Sequence, residues 1–213
     1  MSGLLLLIGI MAVAYALGSV PVGLIVAWLK TGRDLRSTGS GKTGATNVMR
    51  SAGRDCGFLT LFLDGAKAFI AVLVATLLWH QGVLSLGGVD VSTALMQSLA
   101  GVAAIIGHNH PMFAGFRGGR GVSSFFGSMI YLHWPVALAG IGVLTVVALA
   151  SRFMSLASIV AGIVTCIAMV ALFAVGRVPF PHAAYAVAVV TYIVIAHRDN
   201  IVRLRSGTER KLY

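Results

Sequence analysis

Long runs of apolar residues dominate this chain and restrict what it can fold into. The run from Leu4 to Leu29 contains no charged residue, and six further runs follow at Phe58 to Trp79, Ala94 to Ile106, Val122 to His133, Val136 to Ala150, Leu156 to Val175 and Phe180 to Ala196. A transmembrane helix needs about 20 mostly apolar residues. The chain has 58% hydrophobic residues, 10% charged residues and a mean hydropathy of +0.92. This composition rules out a soluble globular protein. The sequence predicts an all-α, polytopic transmembrane helix bundle of about seven segments.

The apolar stretch from Val122 to Ala150 is interrupted by Trp134 and Pro135, so two structures are consistent with it. It is either one long kinked span or two short helices that form a hairpin. Two helices place fourteen of the sixteen basic residues on one side of the membrane, with Arg177 opposite and Lys67 inside a span. The fourteen are Lys30, Arg33, Arg36, Lys42, Arg50, Arg54, Arg117, Arg120, Arg152, Arg198, Arg203, Arg205, Arg210 and Lys211. Because cytoplasmic loops are enriched in Lys and Arg, we choose two helices, with the amino terminus outside and the carboxyl terminus in the cytoplasm.

The net charge of +10 is explained mostly by this membrane topology. In a soluble protein the same charge would suggest a nucleic-acid partner. The polar segments of this chain lack the interleaved aromatic residues that stack on bases, so we predict no nucleic-acid partner. We expect a single membrane domain over residues 1–213.

The first predicted cytoplasmic segment, Ser37 to Arg50, combines glycines with hydroxyl side chains and leads into a short helix. Glycines let a backbone turn its N–H groups toward an anion, and a helix start adds unpaired donors, so phosphate is the expected ligand. A helix from about position 43 places Asn47 and Arg50 on one face. The alternative is a flexible glycine-rich loop. Gly41-Lys42-Thr43 is not the end of a nucleotide-binding P-loop, because Arg36 stands where that motif needs glycine.

The second segment, Gly107 to Gly121, contains the run Arg117-Gly-Gly-Arg120. Two fork-shaped cations and the exposed backbone between them can converge on one oxyanion. The segment also holds two histidines two positions apart, with no carboxylate or thiolate close to them in sequence, which makes a poor metal site. We therefore predict no metal and expect His108 to be hydrogen-bonded or catalytic.

The third segment, His197 to Glu209, continues the last apolar run into the cytoplasm. His197 and Asn200 are three residues apart and share a face if the helix continues. The alternative is a structural histidine whose ring forms hydrogen bonds at the end of a helix. This segment alone predicts no function.

Two charged residues, Asp64 and Lys67, lie inside the second apolar run. Charges at this depth are costly and by default functional. A spacing of three residues also permits an ion pair within one helix. The sequence leaves open whether they form a structural pair or the edge of a site.

The three polar segments contain extended sequence blocks. These are Gly39-Ser-Gly-Lys-Thr-Gly-Ala-Thr-Asn47, Gly107-His-Asn-His-Pro-Met-Phe113 followed by Phe116-Arg-Gly-Gly-Arg-Gly-Val122, and His197-Arg-Asp-Asn-Ile201 with Ser206-Gly-Thr-Glu209. In this order, with apolar runs between them, the blocks resemble the bacterial acyl-phosphate glycerol-3-phosphate acyltransferases over nearly the whole chain. The chain departs from the family pattern at Lys42, where Asn is common, and at Arg120, where Lys is common.

The resemblance implies a multi-pass enzyme of the bacterial cell (inner) membrane. Such an enzyme transfers a fatty acyl group from acyl phosphate to glycerol 3-phosphate, yielding lysophosphatidic acid and phosphate. Phosphate is a good leaving group, so the acceptor hydroxyl can attack the acyl carbon directly, without a cofactor or an acyl-enzyme. The expected partners are glycerol 3-phosphate, acyl phosphate and the lipid bilayer.

The resemblance also implies roles for individual residues. The acceptor phosphate and hydroxyls would be bound by Ser40, Asn47, Arg50, Arg120, His197 and Asn200. The donor phosphate would be bound by the Gly118 and Gly119 backbone and Arg117, with Ser155 or Ser158 near its edge. The implied substrate-binding set is completed by Thr46, Asn109 and Gly121. The general base is His108, His197 or a phosphate oxygen of the substrate.

A membrane carrier for a small organic phosphate is the alternative function. Carriers usually show internal repeats and binding groups near the bilayer midplane. This chain shows no repeat, and its candidate groups lie on one predicted side of the membrane. We therefore favour an enzyme.

Overall fold

The computed structural model describes residues 2–79, 83–86 and 89–212, and they form a helical protein. In the described part of the chain, the helices are α1 (Ser2–Ser19), α2 (Val22–Thr31), α3 (Ala45–Ala52), α4 (Arg54–Leu78), α5 (Thr93–Asn109), α6 (Val122–Ser151), α7 (Met154–Ala174), α8 (Phe180–Ala196) and α9 (Arg198–Arg205). Two short antiparallel strands, β1 (Val83–Leu86) and β2 (Val89–Ser92), pair with Val83 opposite Ser92, and the sequence predicted neither of them. The predicted transmembrane helical fold is confirmed.

The first apolar run is broken, although the sequence analysis treated it as one segment. The break lies at Val20 and Pro21, between α1 and α2. Proline lacks the N–H that a continuous helix needs and its ring clashes with the carbonyl four residues earlier, while the residue before proline avoids helical geometry. The chain closes the break with a hydrogen bond from the Val22 N–H to the Val20 carbonyl, 2.9 Å long.

The long helix α6 is interrupted near the predicted position. His133 has φ −162° and ψ 81°, outside helical geometry, directly before Trp134 and Pro135. Among the described residues, four helical stretches are long and apolar enough to span a membrane, namely 3–31, 54–78, 122–151 and 154–174, and the bent pair α8 and α9 forms a fifth candidate. A count of seven segments and the orientation of the termini stay predictions.

The chain divides into two compact units, the first ending at Tyr131 and the second beginning at Leu132. In the first unit, α1, α4 and α5 pack around a core that includes Ile10, Met96 and several alanines. Beside it, α2 and α3 enclose Leu35. In the second unit, α7 packs against both α8 and α9. A single functional domain over residues 1–213 stays a prediction.

Glycines let the helices of the first unit approach closely. A Cβ atom at Gly18 would overlap the Ala104 carbonyl, and one at Gly107 would overlap the Tyr15 carbonyl. Small residues at such crossings are the usual means by which membrane helices pack backbone to backbone. The α1–α5 crossing therefore sets the position of the carboxyl end of α5, which carries the histidine and asparagine of the second polar segment.

We expect Gly107→Ala to lower the free energy of unfolding by about 1–3 kcal/mol, because the added methyl group overpacks the α1–α5 crossing. Gly9→Ala is the matched control, since a Cβ atom there meets nothing within 4 Å. Thermal unfolding in detergent micelles measures both variants. Equal melting temperatures for the two would contradict the close crossing.

Candidate active site

The first polar loop is organised by one buried side chain. Asn47 is only 3% exposed. Its Nδ2 donates to the Lys42 carbonyl at 2.8 Å and the Thr38 carbonyl at 3.1 Å, with the Leu35 carbonyl at 3.4 Å. Its Oδ1 accepts from the Ser40 N–H at 3.2 Å. These hydrogen bonds close the loop onto α3, and the substrate contact predicted for Asn47 stays a prediction.

The same loop is shaped by glycines rather than left flexible. Gly39 and Gly41 have φ of +59° and +67°, in the left-handed region that suits glycine. The helix that follows begins at Ala45, two residues later than predicted, because Gly44 has extended geometry and occupies the cap position. Three residues of the loop and α3 were predicted to bind substrate in addition to Asn47. Ser40 and Arg50 are exposed, and Thr46 is half-buried.

The second polar loop folds back onto the end of α5. The Gly118 N–H donates to the Asn109 carbonyl and the Gly119 N–H to the His108 carbonyl, both at 3.1 Å. These two hydrogen bonds close the loop, and binding of the donor phosphate by the Gly118 and Gly119 backbone stays a prediction. Arg117, which was predicted to bind the same phosphate, is exposed beside them.

Arg36 joins the first two loops. Its Nη1 donates to the Ala114 carbonyl at 3.4 Å, and its Nη2 lies 2.7 Å from Oδ2 of Asp34. Hydrogen bonds from the Arg36 side chain and backbone lower the pKa of Asp34, and the carboxylate in turn raises the pKa of Arg36. Both side chains are 40% or more exposed, so this ion pair positions the loops more than it stabilises the fold.

Asn109 carries a buried amide with open hydrogen-bonding capacity. The side chain is 6% exposed, and neither Oδ1 nor Nδ2 has a hydrogen-bond partner among the residues that the structure describes. It lies beside Gly121, whose φ of +83° is unfavourable for other residue types. A buried amide without partners costs free energy, and a ligand oxygen can satisfy it.

A buried ionic cluster lies behind the second loop. Asp64 Oδ1 is 2.8 Å from Lys67 Nζ and 3.3 Å from His108 Nδ1, and all three residues are at most 9% exposed. The Lys67 Nζ also donates to the Val20 carbonyl at 2.7 Å. Asp64 and Lys67 are thus an ion pair, as their spacing permitted, and His108 shares the carboxylate.

This cluster argues against His108 as the general base. One ring nitrogen faces the Asp64 carboxylate, and the other, Nε2, lies where a Cβ atom at Gly119 would overlap it. The His108 residue as a whole is 5% exposed. A base must come within about 3 Å of the proton that it removes. His108 therefore has the surroundings of a structural histidine.

The third segment is organised by Glu209, within the second unit. Its Oε1 accepts from Ser155 Oγ at 2.8 Å and from Asn200 Nδ2 at 2.6 Å, and its Oε2 accepts from Arg203 Nε at 2.7 Å. Burial alone would raise the pKa of this carboxyl, but these hydrogen bonds and the Arg203 charge outweigh burial and lower the pKa. The sequence analysis missed Glu209 and Arg203, although an acidic residue in a strongly basic tail was the available signal.

His197 is placed differently from His108. It is 3% exposed, and its Nδ1 lies 2.8 Å from the Ile193 carbonyl. A carbonyl oxygen only accepts, so Nδ1 carries the hydrogen and the lone pair belongs to Nε2. Three residues on, Asn200 Oδ1 is buried without a hydrogen bond in the described structure. Ser158, the alternative to Ser155, donates to the Met154 carbonyl of its own helix at 2.8 Å.

A family model described as glycerol-3-phosphate acyltransferase matches residues 8–207. The chain belongs to the glycerol-3-phosphate acyltransferase family. The glycerol-3-phosphate acyltransferase of Trichormus variabilis is 39% identical over 208 residues, covering 95% of this chain and 90% of the relative. Glycerol-3-phosphate acyltransferase 3 of Dehalococcoides mccartyi is 43% identical and covers 95% of this chain and 94% of the relative.

Two solved structures of another family member share the fold of this acyltransferase-family chain. Both are crystal structures of PlsY, an integral membrane glycerol 3-phosphate acyltransferase. Its glycerol 3-phosphate form matches with a TM-score of 0.81 at 37% identity, covering 99% of this chain and 96% of that one. Its lysophosphatidic acid form matches with a TM-score of 0.79 at 34% identity, covering 96% and 94%. The present chain is thus an integral membrane protein of this family.

The lowered pKa of Glu209 makes a pH prediction for the third segment. Because folding favours the ionised carboxylate, its contribution to stability is present above its ordinary pKa of 4.5 and is lost as the pH falls below that value. We expect Glu209→Gln to be less stable than the native protein at pH 7 and to lose less stability on acidification. Unfolding in detergent across this pH range measures the difference.

Asp199→Asn is the control for this prediction, since Asp199 lies on α9, the helix that carries the Glu209 partners Asn200 and Arg203, and its side chain is 65% exposed, 3.7 Å from Arg198. Exposed ion pairs of this kind contribute little to the free energy of unfolding. If the two variants showed the same stability at each pH, the role assigned to Glu209 would be wrong.

Proposed function

We propose that this protein transfers a fatty acyl group from acyl phosphate to glycerol 3-phosphate, giving lysophosphatidic acid and phosphate. The observation that carries the proposal is the match, over nearly the full length of both chains, to a glycerol 3-phosphate acyltransferase solved in glycerol 3-phosphate and lysophosphatidic acid forms. These two molecules are the acceptor and the product of the proposed reaction. We further propose that the enzyme works at the cytoplasmic face of the bacterial cell membrane.

The acceptor phosphate is proposed to bind the exposed cation and hydroxyl that α3 and the first loop carry. Ser40 is exposed on a loop whose backbone is fixed by Asn47, and Arg50 is exposed on α3. A guanidinium can bind a phosphate through two parallel hydrogen bonds. The buried Asn200 Oδ1 is available to accept a hydrogen bond from a glycerol hydroxyl. Thr46 and Arg120 complete this proposed set.

The donor phosphate is proposed to bind at the second loop. Arg117 is exposed there, and the open amide of Asn109 lies beside Gly121. Since the Gly118 and Gly119 amides are already bonded, cationic and amide side chains carry the recognition. Ser155, bound to Glu209, stays a proposed neighbour of the donor.

The chemical step is a direct acyl transfer. The acceptor hydroxyl oxygen attacks the acyl carbonyl carbon, the bond from that carbon to the phosphate oxygen breaks, and phosphate leaves. The hydroxyl proton passes to His197 Nε2 or to a phosphate oxygen of the substrate. Alignment of two reactants supplies roughly 7–11 kcal/mol, which is large enough for catalysis without a covalent enzyme intermediate.

The test is an assay of the purified protein with glycerol 3-phosphate and either acyl phosphate or an acyl thioester. We expect lysophosphatidic acid from acyl phosphate and little from the thioester. No product from either donor would overturn the proposed function. Uptake of labelled glycerol 3-phosphate into sealed vesicles without a donor would favour the carrier instead.

His197→Gln distinguishes the two possible proton acceptors in the same assay. We expect turnover to fall at least about 100-fold if Nε2 is the base. His108→Gln is the comparison, since its ring is enclosed by Asp64 and Gly119 and is not expected to take the proton. If turnover hardly changed in the His197 variant, the substrate phosphate would be the base.

A further inference from the structure

The Asp64–Lys67 ion pair involves a third residue, His108, which lies outside its helix. Both Lys67 Nζ and His108 Nδ1 converge on the same carboxylate oxygen, at 2.8 and 3.3 Å. Lys67 is further engaged by the Val20 carbonyl at the break between α1 and α2. Lys67 thus fastens the first apolar run to α4, whereas the contact with His108 connects α4 to the end of α5.

His108 in turn contacts the second loop on its far side. Its Nε2 occupies the space that any side chain at position 119 would need. Its backbone carbonyl accepts the Gly119 N–H, while the Asn109 carbonyl accepts the Gly118 N–H. The ring therefore lies between a fixed carboxylate and the glycine pair, and a change in its orientation displaces the loop.

The glycine pair lies between the two arginines of that loop. Arg117 immediately precedes Gly118, and Arg120 immediately follows Gly119. Two hydrogen bonds join the glycine backbone to α5 among the described residues, so the position of the flanking arginines also depends on the surface against which the glycines rest. For Gly119 that surface is the His108 ring, and for Gly118 it is the Pro111 ring and the backbone carbonyls of His108 and Asn109.

We propose that Asp64 is a positioning residue, which holds the His108 ring against Gly119 and thereby fixes the loop that carries Arg117 and Arg120. The contacts run from a buried carboxylate through one imidazole to a backbone that tolerates no Cβ atom. Asp64 itself touches no substrate in this account. The expected effect on substrate binding rests on the proposed function, because it requires that the arginines of the loop bind phosphate. The expected effect on the rigidity of the loop does not depend on the proposed function.

The decisive variant replaces the ion pair by two neutral side chains, Asp64→Asn with Lys67→Met. Removing Asp64 alone would leave a buried, unpaired ammonium group and would destabilise the fold. Ser124→Ala is the matched control, because Ser124 Oγ donates to the Asp64 backbone carbonyl at 3.1 Å and does not touch the carboxylate. His108→Asn is a second variant, which keeps the ion pair and shortens the side chain that supports Gly119.

The first readout is hydrogen exchange of the Gly118 and Gly119 amides, followed by mass spectrometry of peptides from this loop in detergent micelles. We expect exchange to be about tenfold faster in the double variant and in His108→Asn, as for the loss of one hydrogen bond's stabilisation. The Ser124→Ala control keeps native exchange. Native exchange in a folded double variant overturns the proposal, and if that variant does not fold, native exchange in His108→Asn overturns it.

The second readout separates positioning from general destabilisation. At a temperature where all variants are folded, we expect kcat/KM for glycerol 3-phosphate to fall about 100-fold in the double variant, with most of the change in KM. If the double variant has a lower melting temperature but a native KM, the proposal is contradicted. If the native protein itself shows no acyl transfer, the proposed function fails, and the exchange measurement still decides whether Asp64 positions the loop.

Discussion

The structure depends on one constraint: a polar group buried among apolar helices must find its partner within the protein. The chain meets this constraint with single buried side chains that each bind several groups. Asn47 forms hydrogen bonds with four backbone groups of the first loop. Glu209 binds a serine, an asparagine and an arginine of the third segment. The Asp64 carboxylate serves a lysine and a histidine. Each polar segment is thus organised before any ligand arrives.

This organisation divides the polar residues into two groups. One group is buried and bonded to other groups of the protein, and it contains the residues that hold the loops in place. The other group is exposed or has open hydrogen-bonding capacity, as Arg50, Arg117 and the Asn109 amide do. Rigid loops that present such groups lose little entropy when they bind an anion. For a reaction that relies on alignment of two phosphorylated substrates, such preorganisation is the main contribution that a protein can make.

The sequence predicted the apolar runs and the polar segments because both are visible in local composition. It also indicated the interruption near Pro135. It did not predict the break at Pro21, because surrounding apolar residues masked the effect of one proline. It did not predict the hydrogen bonds that Asn47, Gly118 and Gly119 make within the protein, since residue type shows hydrogen-bonding capacity but not which partner uses it. The roles of Glu209 and His108 depend on contacts between residues distant along the chain, which no local pattern contains.

The central claim is that the three polar segments work from one side of the membrane. The most direct measurement labels single cysteines with a membrane-impermeant maleimide, in a variant whose two native cysteines are replaced by alanine, using sealed vesicles of both orientations. Suitable exposed positions are Lys42, Arg117, Arg198 and, for the opposite side, Arg177. The account predicts that the first three react only from the cytoplasmic face and Arg177→Cys only from the outer face. Reaction of any of the first three from the outer face would contradict a shared catalytic face.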